Sequence, residues 1–418
     1  MAPPSPAPKY PLTVRREMSA KAMVLVGEQR LVMDEFPLPA IGAEDALLRV
    51  EACGLCGSDV EQYDGAFAAI GIPFSTIMGH EPVGTIERIG AEAARRWRVE
   101  QGDRVVVEPL MGCGSCRACL TGNYRICRNG REGLKVMGYG FIPTTVSPAL
   151  WGGYAEYMYL DRHAVVHKVS NTVSPRLAAL YQPIAAGIQW VAHIANTKVG
   201  DTVVILGAGQ RGLGAVVAAR EAGAHRILVT GLSRDAHKLA LAREFGATGT
   251  IVADEEDTVE RVAELTDGEG ADIVLDVTPV ATEPILHAIA IAKPQATIVF
   301  AGMKGSGKAI PGFSADSVIV KELTIRGVAG QDLRAYEPAL RLIESNKYPL
   351  EKMCTHAFSL EEAERAVLTL AGRIANEASI SITITPNDPH PPGLSSVGSQ
   401  NAGINQLTAA VDMKGSLH

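Results

Sequence analysis

The spacing of apolar and polar positions changes character once along this chain, near Asp201. Before it, short strand-forming runs (Ala22–Val26, Ala46–Val50, Asp103–Val107) are separated by turns rich in Gly, Pro and Asp. That rhythm predicts a mainly β, barrel-like domain starting near Lys21. After it, apolar strands alternate with helix-like stretches: Val203–Leu206, Arg226–Thr230, Thr250–Val252, Asp272–Asp276, Ala296–Phe300 and Leu323–Arg326. Such strands with helical crossovers predict an α/β domain built on a doubly wound parallel sheet. Beyond Gly330, helices over Tyr336–Ser345 and Leu360–Ala371 and a β-type end, Ile380–Ile384, predict a return to the first domain. The expected limits are a flexible tail over 1–20, a first domain over 21–182, the sheet domain over 183–330, the return over 331–385 and a weakly ordered tail over 386–418.

Composition supports two cores and narrows the partners. The chain has 418 residues, 47% of them hydrophobic and 20% charged, which is ample apolar material for two domains. A net charge of −7 and the absence of any Lys/Arg run argue against nucleic acid and for a small-molecule partner. Apolar runs such as Ile184–Ile194 are broken by Gly187, Gln189 and His193, so no membrane span is expected. The seven cysteines, odd in number and clustered, fit reduced thiols and metal binding in the cytoplasm better than a disulfide framework.

Three motifs carry chemistry. Gly207-Ala208-Gly209-Gln210-Arg211-Gly212 follows a strand and opens an alanine-rich helix, the context in which helix N-terminal amides receive a pyrophosphate. The acidic residue expected at the end of the next strand is replaced by Gly231, with Ser233 and Arg234 following. A cation beside a missing carboxylate suits a ribose 2′-phosphate, which favours NADP(H) and leaves NAD(H) open. Arg211 is a second cation that could meet phosphate. Cys113-x2-Cys116-x2-Cys119-x7-Cys127 can close tetrahedrally on one structural zinc ion. Finally, Cys53-Gly-Leu-Cys56-Gly-Ser58-Asp59 precedes Gly79-His80-Glu81. Either cysteine could join His80 at a second zinc, with Ser58 and Asp59 handling protons or orienting ligands.

Together these motifs resemble the zinc-containing medium-chain dehydrogenase/reductase family, which includes alcohol, sorbitol and threonine dehydrogenases. The resemblance spans about Lys21 to Thr385 and implies a GroES-like catalytic domain plus a Rossmann domain. It implies a catalytic zinc on Cys56 and His80, with Glu81 as alternate or additional ligand, and a proton relay through Ser58. It also implies a homodimer or homotetramer. Cys53 matches no ligand position.

The chain departs from that pattern in three places. Gln182, in Leu180-Tyr181-Gln182-Pro183, stands where an anionic third ligand is usual; a neutral amide is a weaker zinc ligand, so Glu81 would complete the site. Glu61 replaces a histidine proton shuttle, and its ordinary pKa makes it a poorer one at neutral pH. The segment after Gly231 runs about two residues longer than the Rossmann pattern. Aromatic residues also concentrate at Tyr139, Phe141, Trp151, Tyr154 and Tyr157, either lining a cleft for a hydrophobic or aromatic substrate or packing as a surface loop.

The expected function is a zinc-dependent alcohol dehydrogenase or carbonyl reductase acting on an alcohol, ketone or aldehyde. The alternatives are a zinc-independent reductase of double bonds or quinones with the same fold, and a non-catalytic cofactor-binding protein with a decayed zinc site.

Overall fold

A computed structural model describes residues 18–128, 138–305 and 307–388. By contacts they group into two compact units. One holds the residues up to Cys53 and Glu61–Pro175; the other holds Gly54–Val60 and the residues from Arg176 onward.

The first unit is built from β1 (Ser19–Gly27), β2 (Arg30–Pro37), β3 (Ala46–Gly54), β4 (Thr76–Ile77), β5 (Glu81–Ile89), β6 (Arg104–Val107), β7 (Tyr157–Leu160) and β8 (Val166–Lys168). β1 lies between β2 and β4. It begins earlier than expected because Ser19 and Ala20 pair with Pro37 and Phe36, so the last two residues of the expected tail are strand. The rest of that tail, and residues 389–418 of the other, lie outside the described residues. β5 pairs with β6, β6 with β8 and β3 with β7, all antiparallel. Their inward side chains, among them Leu48, Val50, Ile86, Val105 and Met158, form one apolar core. Alternation leaves Arg49 exposed on β3 between buried neighbours, as a period of two requires.

The second unit carries the doubly wound sheet. Its strands are β9 (Thr202–Leu206), β10 (Arg226–Gly231), β11 (Gly249–Val252), β12 (Ala271–Asp276), β13 (Ala292–Phe300) and β14 (Thr324–Gly327). They run β11-β10-β9-β12-β13-β14, all parallel. Every residue of β9 is buried, which is why this strand reads as an unbroken apolar run: helices cover both faces. The order reverses between β9 and β12, and the crevice at such a switch point is where ligands of this architecture bind.

Two helices of this unit, Tyr181–Gly187 and Gln210–Glu221, meet backbone to backbone. A Cβ on Gly187 would stand 2.3 Å from the Gly214 carbonyl oxygen, and one on Gly214 would stand 2.2 Å from that of Pro183. Past β14, the helix Leu333–Glu344 starts ahead of the expected Tyr336 because the Asp332 side chain caps it, accepting from the Arg334 amide. β15 (Cys354–Phe358) and β16 (Ser381–Ile384) pair in parallel. Among the described residues no helix is long and apolar enough to cross a membrane.

Candidate active site

The four-cysteine segment folds as a short helix, Arg117–Leu120, and a 3-10 turn, Tyr124–Ile126, which bring its thiols together. Sγ–Sγ distances are 3.9 Å for Cys113–Cys119, 3.6 Å for Cys116–Cys119 and 3.7 Å for Cys116–Cys127. Four thiolates held tetrahedrally at the usual zinc–sulfur bond length would stand about 3.8 Å apart. No disulfide joins these four residues, and the set fits one zinc ion with no vacant position. Backbone amides already serve the sulfurs: Cys113 N donates to Cys127 Sγ and Cys116 N to Cys113 Sγ, both at 3.4 Å. The amide and hydroxyl of Ser115 draw the Cys113 thiol down to about 5, whereas burial pushes Cys119 up to about 12. At the lobe's base the buried Glu108 carboxylate accepts from the Tyr124 hydroxyl and lies 2.7 Å from His167 Nε2.

A second group is made by Cys56, His80 and Glu81, whose ligand atoms all lie within 4.8 Å of one another. Each side of it is locally braced. Cys56 opens the helix Gly57–Tyr63; its amide donates to Asp59 Oδ2 at 2.9 Å, and the Asp59 amide donates back to the Cys56 carbonyl at 3.0 Å. Asp59 thus orients the thiol's backbone, the second of the two roles its position suggested. Ser58 Oγ lies 2.6 Å from Cys56 Sγ. His80 and Glu81 enter β5, with His80 Nε2 4.0 Å from Glu81 Oε1. Gly79 precedes them at φ +89°, and a Cβ there would fall 2.4 Å from the Tyr154 ring and 2.9 Å from Cys53 Sγ. Cys53 itself is fully buried and packs as a structural thiol.

This trio fits a catalytic zinc. A thiolate, an imidazole and a carboxylate form a borderline-soft set of three protein ligands, which leaves a fourth position for substrate. Cys56, His80 and Glu81 are 2%, 5% and 1% exposed. A carboxylate that deep is costly without a compensating cation.

Gln182 is also buried, but its Oε1 accepts from the Tyr336 hydroxyl at 3.4 Å, and that hydroxyl lies 3.1 Å from Gln331 Oε1. Among the described residues Gln182 Nε2 has no hydrogen-bond partner. Turning the amide over would let Nε2 donate to Tyr336 and release the carbonyl oxygen, the one atom it could offer a metal. Glu61 differs from expectation in direction: burial raises its carboxyl above the ordinary value, which moves it toward useful proton transfer at neutral pH.

The glycine turn has the shape of a pyrophosphate cradle. Gly207 leaves β9 at φ +112°, and the Gly209 position has open space around it. A Cβ on Gly212 would collide with the Gly207 carbonyl at 1.9 Å, so only glycine lets the helix start this close to the strand. Gln210 Nε2 donates to the Leu55 carbonyl at 2.8 Å. Arg211 lies over the Trp190 ring, 5.6 Å from its centre. At the end of β10 the Ser233 amide and hydroxyl donate to Asp254 at 2.7 and 2.6 Å, while Arg234 is exposed and has no hydrogen-bond or ion-pair partner among the described residues.

Of the aromatic residues for which both lining a cleft and packing were open, Tyr139, Trp151 and Tyr154 are buried, and Tyr157 sits in β7. Tyr139 and Trp151 pack in the first unit's apolar core. Phe141 is the exception, 5.3 Å from the His80 ring and 5.6 Å from Phe67. Sequence reasoning missed Phe67, a lone aromatic in a glycine- and alanine-rich turn. It also missed Asp276, fully buried at the end of β12, which pairs with Lys304 at 2.7 Å and accepts from Thr278. An acidic residue closing an apolar central strand was the available signal.

The chain matches the family described as "Alcohol dehydrogenase GroES-like domain" over residues 42–171 and that described as "Zinc-binding dehydrogenase" over residues 212–345. It is 47% identical over 367 residues to "Probable alcohol dehydrogenase adh" of Mycobacterium tuberculosis (strain CDC 1551 / Oshkosh), covering 88% of this chain and 98% of that one. Among solved structures it resembles an alcohol dehydrogenase of Thermotoga maritima, with TM-score 0.78, 26% identity and coverage of 88% of this chain and 100% of the other. It also resembles a protein of Sinorhizobium meliloti 1021, described as a zinc-binding dehydrogenase and bound to NADP, with TM-score 0.75, 26% identity and the same coverages.

Proposed function

This chain belongs to the zinc-binding alcohol dehydrogenase family, and on that premise we propose that it interconverts a small alcohol and its ketone or aldehyde with a nicotinamide dinucleotide. The observation that carries the reading is the buried Cys56–His80–Glu81 trio in a chain that also carries the Gly207–Gly212 cradle. In this proposal those three residues hold a catalytic zinc, Cys113, Cys116, Cys119 and Cys127 hold a structural one, and Gln182 stays bonded to Tyr336. Zinc held there supplies a Lewis acid for charge developing on the substrate oxygen, and the cofactor supplies the hydride carrier.

The chain's own residues do the rest. Ser58 takes or returns the substrate proton, and Glu61, one turn on in the same helix, passes it toward solvent. Phe67 and Phe141 form an apolar wall beside His80, which favours a hydrophobic or aromatic alcohol. Gly207, Gly209, Gln210, Arg211 and Gly212 receive the pyrophosphate at the helix N-terminus. Gly231, Ser233 and the uncommitted Arg234 favour NADP(H), as does the NADP held by the S. meliloti relative.

The family match at 42–171 lies inside the proposed catalytic domain, 21–182 with 331–385, and that at 212–345 covers most of the proposed Rossmann domain, 183–330, and runs into the return segment. Seven cysteines outside any disulfide support a cytoplasmic protein in this reading. β14 ends its sheet with an exposed edge, near Ile319 and Val320 at 69% and 82% exposure; a homo-oligomer would cover both.

The test is zinc analysis combined with absorbance at 340 nm over a panel of apolar alcohols and ketones. About two zinc ions per chain and turnover faster with NADPH than NADH are expected. One zinc confined to the lobe would favour the zinc-independent reductase instead.

A further inference from the structure

Asp254 was not among the expected cofactor residues, yet it occupies the corner where the adenosine ribose belongs on the reading above, on which this inference rests. β10 and β11 pair to their ends, Gly231 opposite Val252, and the Ala253 amide donates to the Gly231 carbonyl at 2.8 Å. Ser233 and Asp254 therefore emerge side by side at the carboxyl edge of the sheet, where ligands of this architecture bind. The corner abuts the glycine turn: a Cβ on Gly231 would lie 3.3 Å from that of Ala208. The Asp254 carboxylate takes both donors of Ser233, its amide at 2.7 Å and its hydroxyl at 2.6 Å.

We propose that Asp254 sets the balance between the two dinucleotides by occupying the donors that a ribose 2′-phosphate needs. Those hydrogen bonds, with Arg234 nearby, hold its carboxyl below the ordinary aspartate value, so it is ionised at neutral pH. A phosphate served by Ser233 would lie within a few ångströms of that charge. A ribose 2′-hydroxyl meets the opposite situation, because it can donate to the carboxylate. Arg234 attracts the phosphorylated cofactor and Asp254 resists it, so the chain accepts both forms and its preference for NADP(H) is a modest one. For a charge of −1 facing about −2 across several ångströms of solvent, the resistance is on the order of tenfold in affinity at low salt, and less as salt rises.

Asp254 is a positioning residue, and its test needs no turnover. Adenosine 2′,5′-bisphosphate and 5′-AMP are titrated calorimetrically into the wild-type protein, Asp254→Asn, and Asp254→Asn combined with Ser233→Ala. The expected result is about tenfold tighter bisphosphate binding to Asp254→Asn with AMP affinity unchanged, and a smaller gain in the double variant, which keeps the relief of charge but lacks the Ser233 hydroxyl. The ratio of kcat/KM for NADPH over NADH should rise by the same factor. Proportional changes for both nucleotides, or none, would overturn the role of Asp254 while leaving the cofactor site intact. Failure of either nucleotide to bind any of the three proteins would overturn the cofactor site and this inference together.

Discussion

Gly79→Ala is the sharpest test of how the zinc ligands are placed. Gly79 is at φ +89°, and the left-handed backbone costs a residue with a Cβ about 1–2 kcal/mol. The added carbon would also stand 2.4 Å from Tyr154 Cδ1 and 2.9 Å from Cys53 Sγ. Both residues are 0% exposed, so neither can swing aside, and overpacking of this kind costs about 1–3 kcal/mol more. The expected destabilisation is therefore about 2–5 kcal/mol. Gly102→Ala is the control. It has φ +91° with nothing within 4 Å, and should lose only the backbone part. Urea unfolding followed by tryptophan fluorescence, to which Trp151 in the first unit's core contributes, measures both. Because His80 is the next residue, Gly79→Ala should also lower zinc content while Gly102→Ala does not. Equal losses in the two variants, with zinc unchanged, would refute the packing argument.

Other expectations follow from charges. Glu81→Gln keeps size and removes one anion from the trio, so zinc should fall from about two ions per chain to one, with the four-thiol ion retained; mass-spectrometric metal analysis decides, and retention of both would place Glu81 outside the ligand set. Glu61 is held above its ordinary value of 4.5 by burial, so its charge opposes folding once pH rises through the folded pKa, and the penalty is absent below the unfolded value. Glu61→Gln should accordingly melt higher than wild type at pH 7, with the difference vanishing near pH 4; a difference constant with pH would be contrary. Lys304→Met leaves the fully buried Asp276 without its cation, costing about 3–5 kcal/mol, and Asp276→Asn in the same chain should restore most of the loss in urea melts.

The readable parts of the chain were those whose partners lie close in sequence. Cys113 to Cys127 and Gly207 to Gly212 each form one local loop, so spacing alone implied their geometry. The sheet was legible because β9 and β12 are apolar through their length, a consequence of cover on both faces. Partners distant in sequence were not legible. Tyr336 reaches Gln182 across 154 positions, and Asp254 meets Ser233 only because β11 lies beside β10. The aromatic residues after Cys127 left two readings open for a related reason: composition reveals a cluster but not its direction. Trp151 and Tyr154 turn into the core, and Phe141 alone turns toward His80.

The contact between Gly187 and Gly214 has a consequence for anyone redesigning this chain. With no side chain on either, the two helices are spaced by main-chain atoms alone, which do not vary with sequence. That spacing works as a gauge block, because Gln182 and Pro183 sit at one end of it and the glycine turn at the start of the other helix. Libraries that vary Gln182 can be read as changes in chemistry at a fixed address. Libraries that reach Gly187 or Gly214 alter the address itself, and their losses say nothing about the residues they were meant to probe.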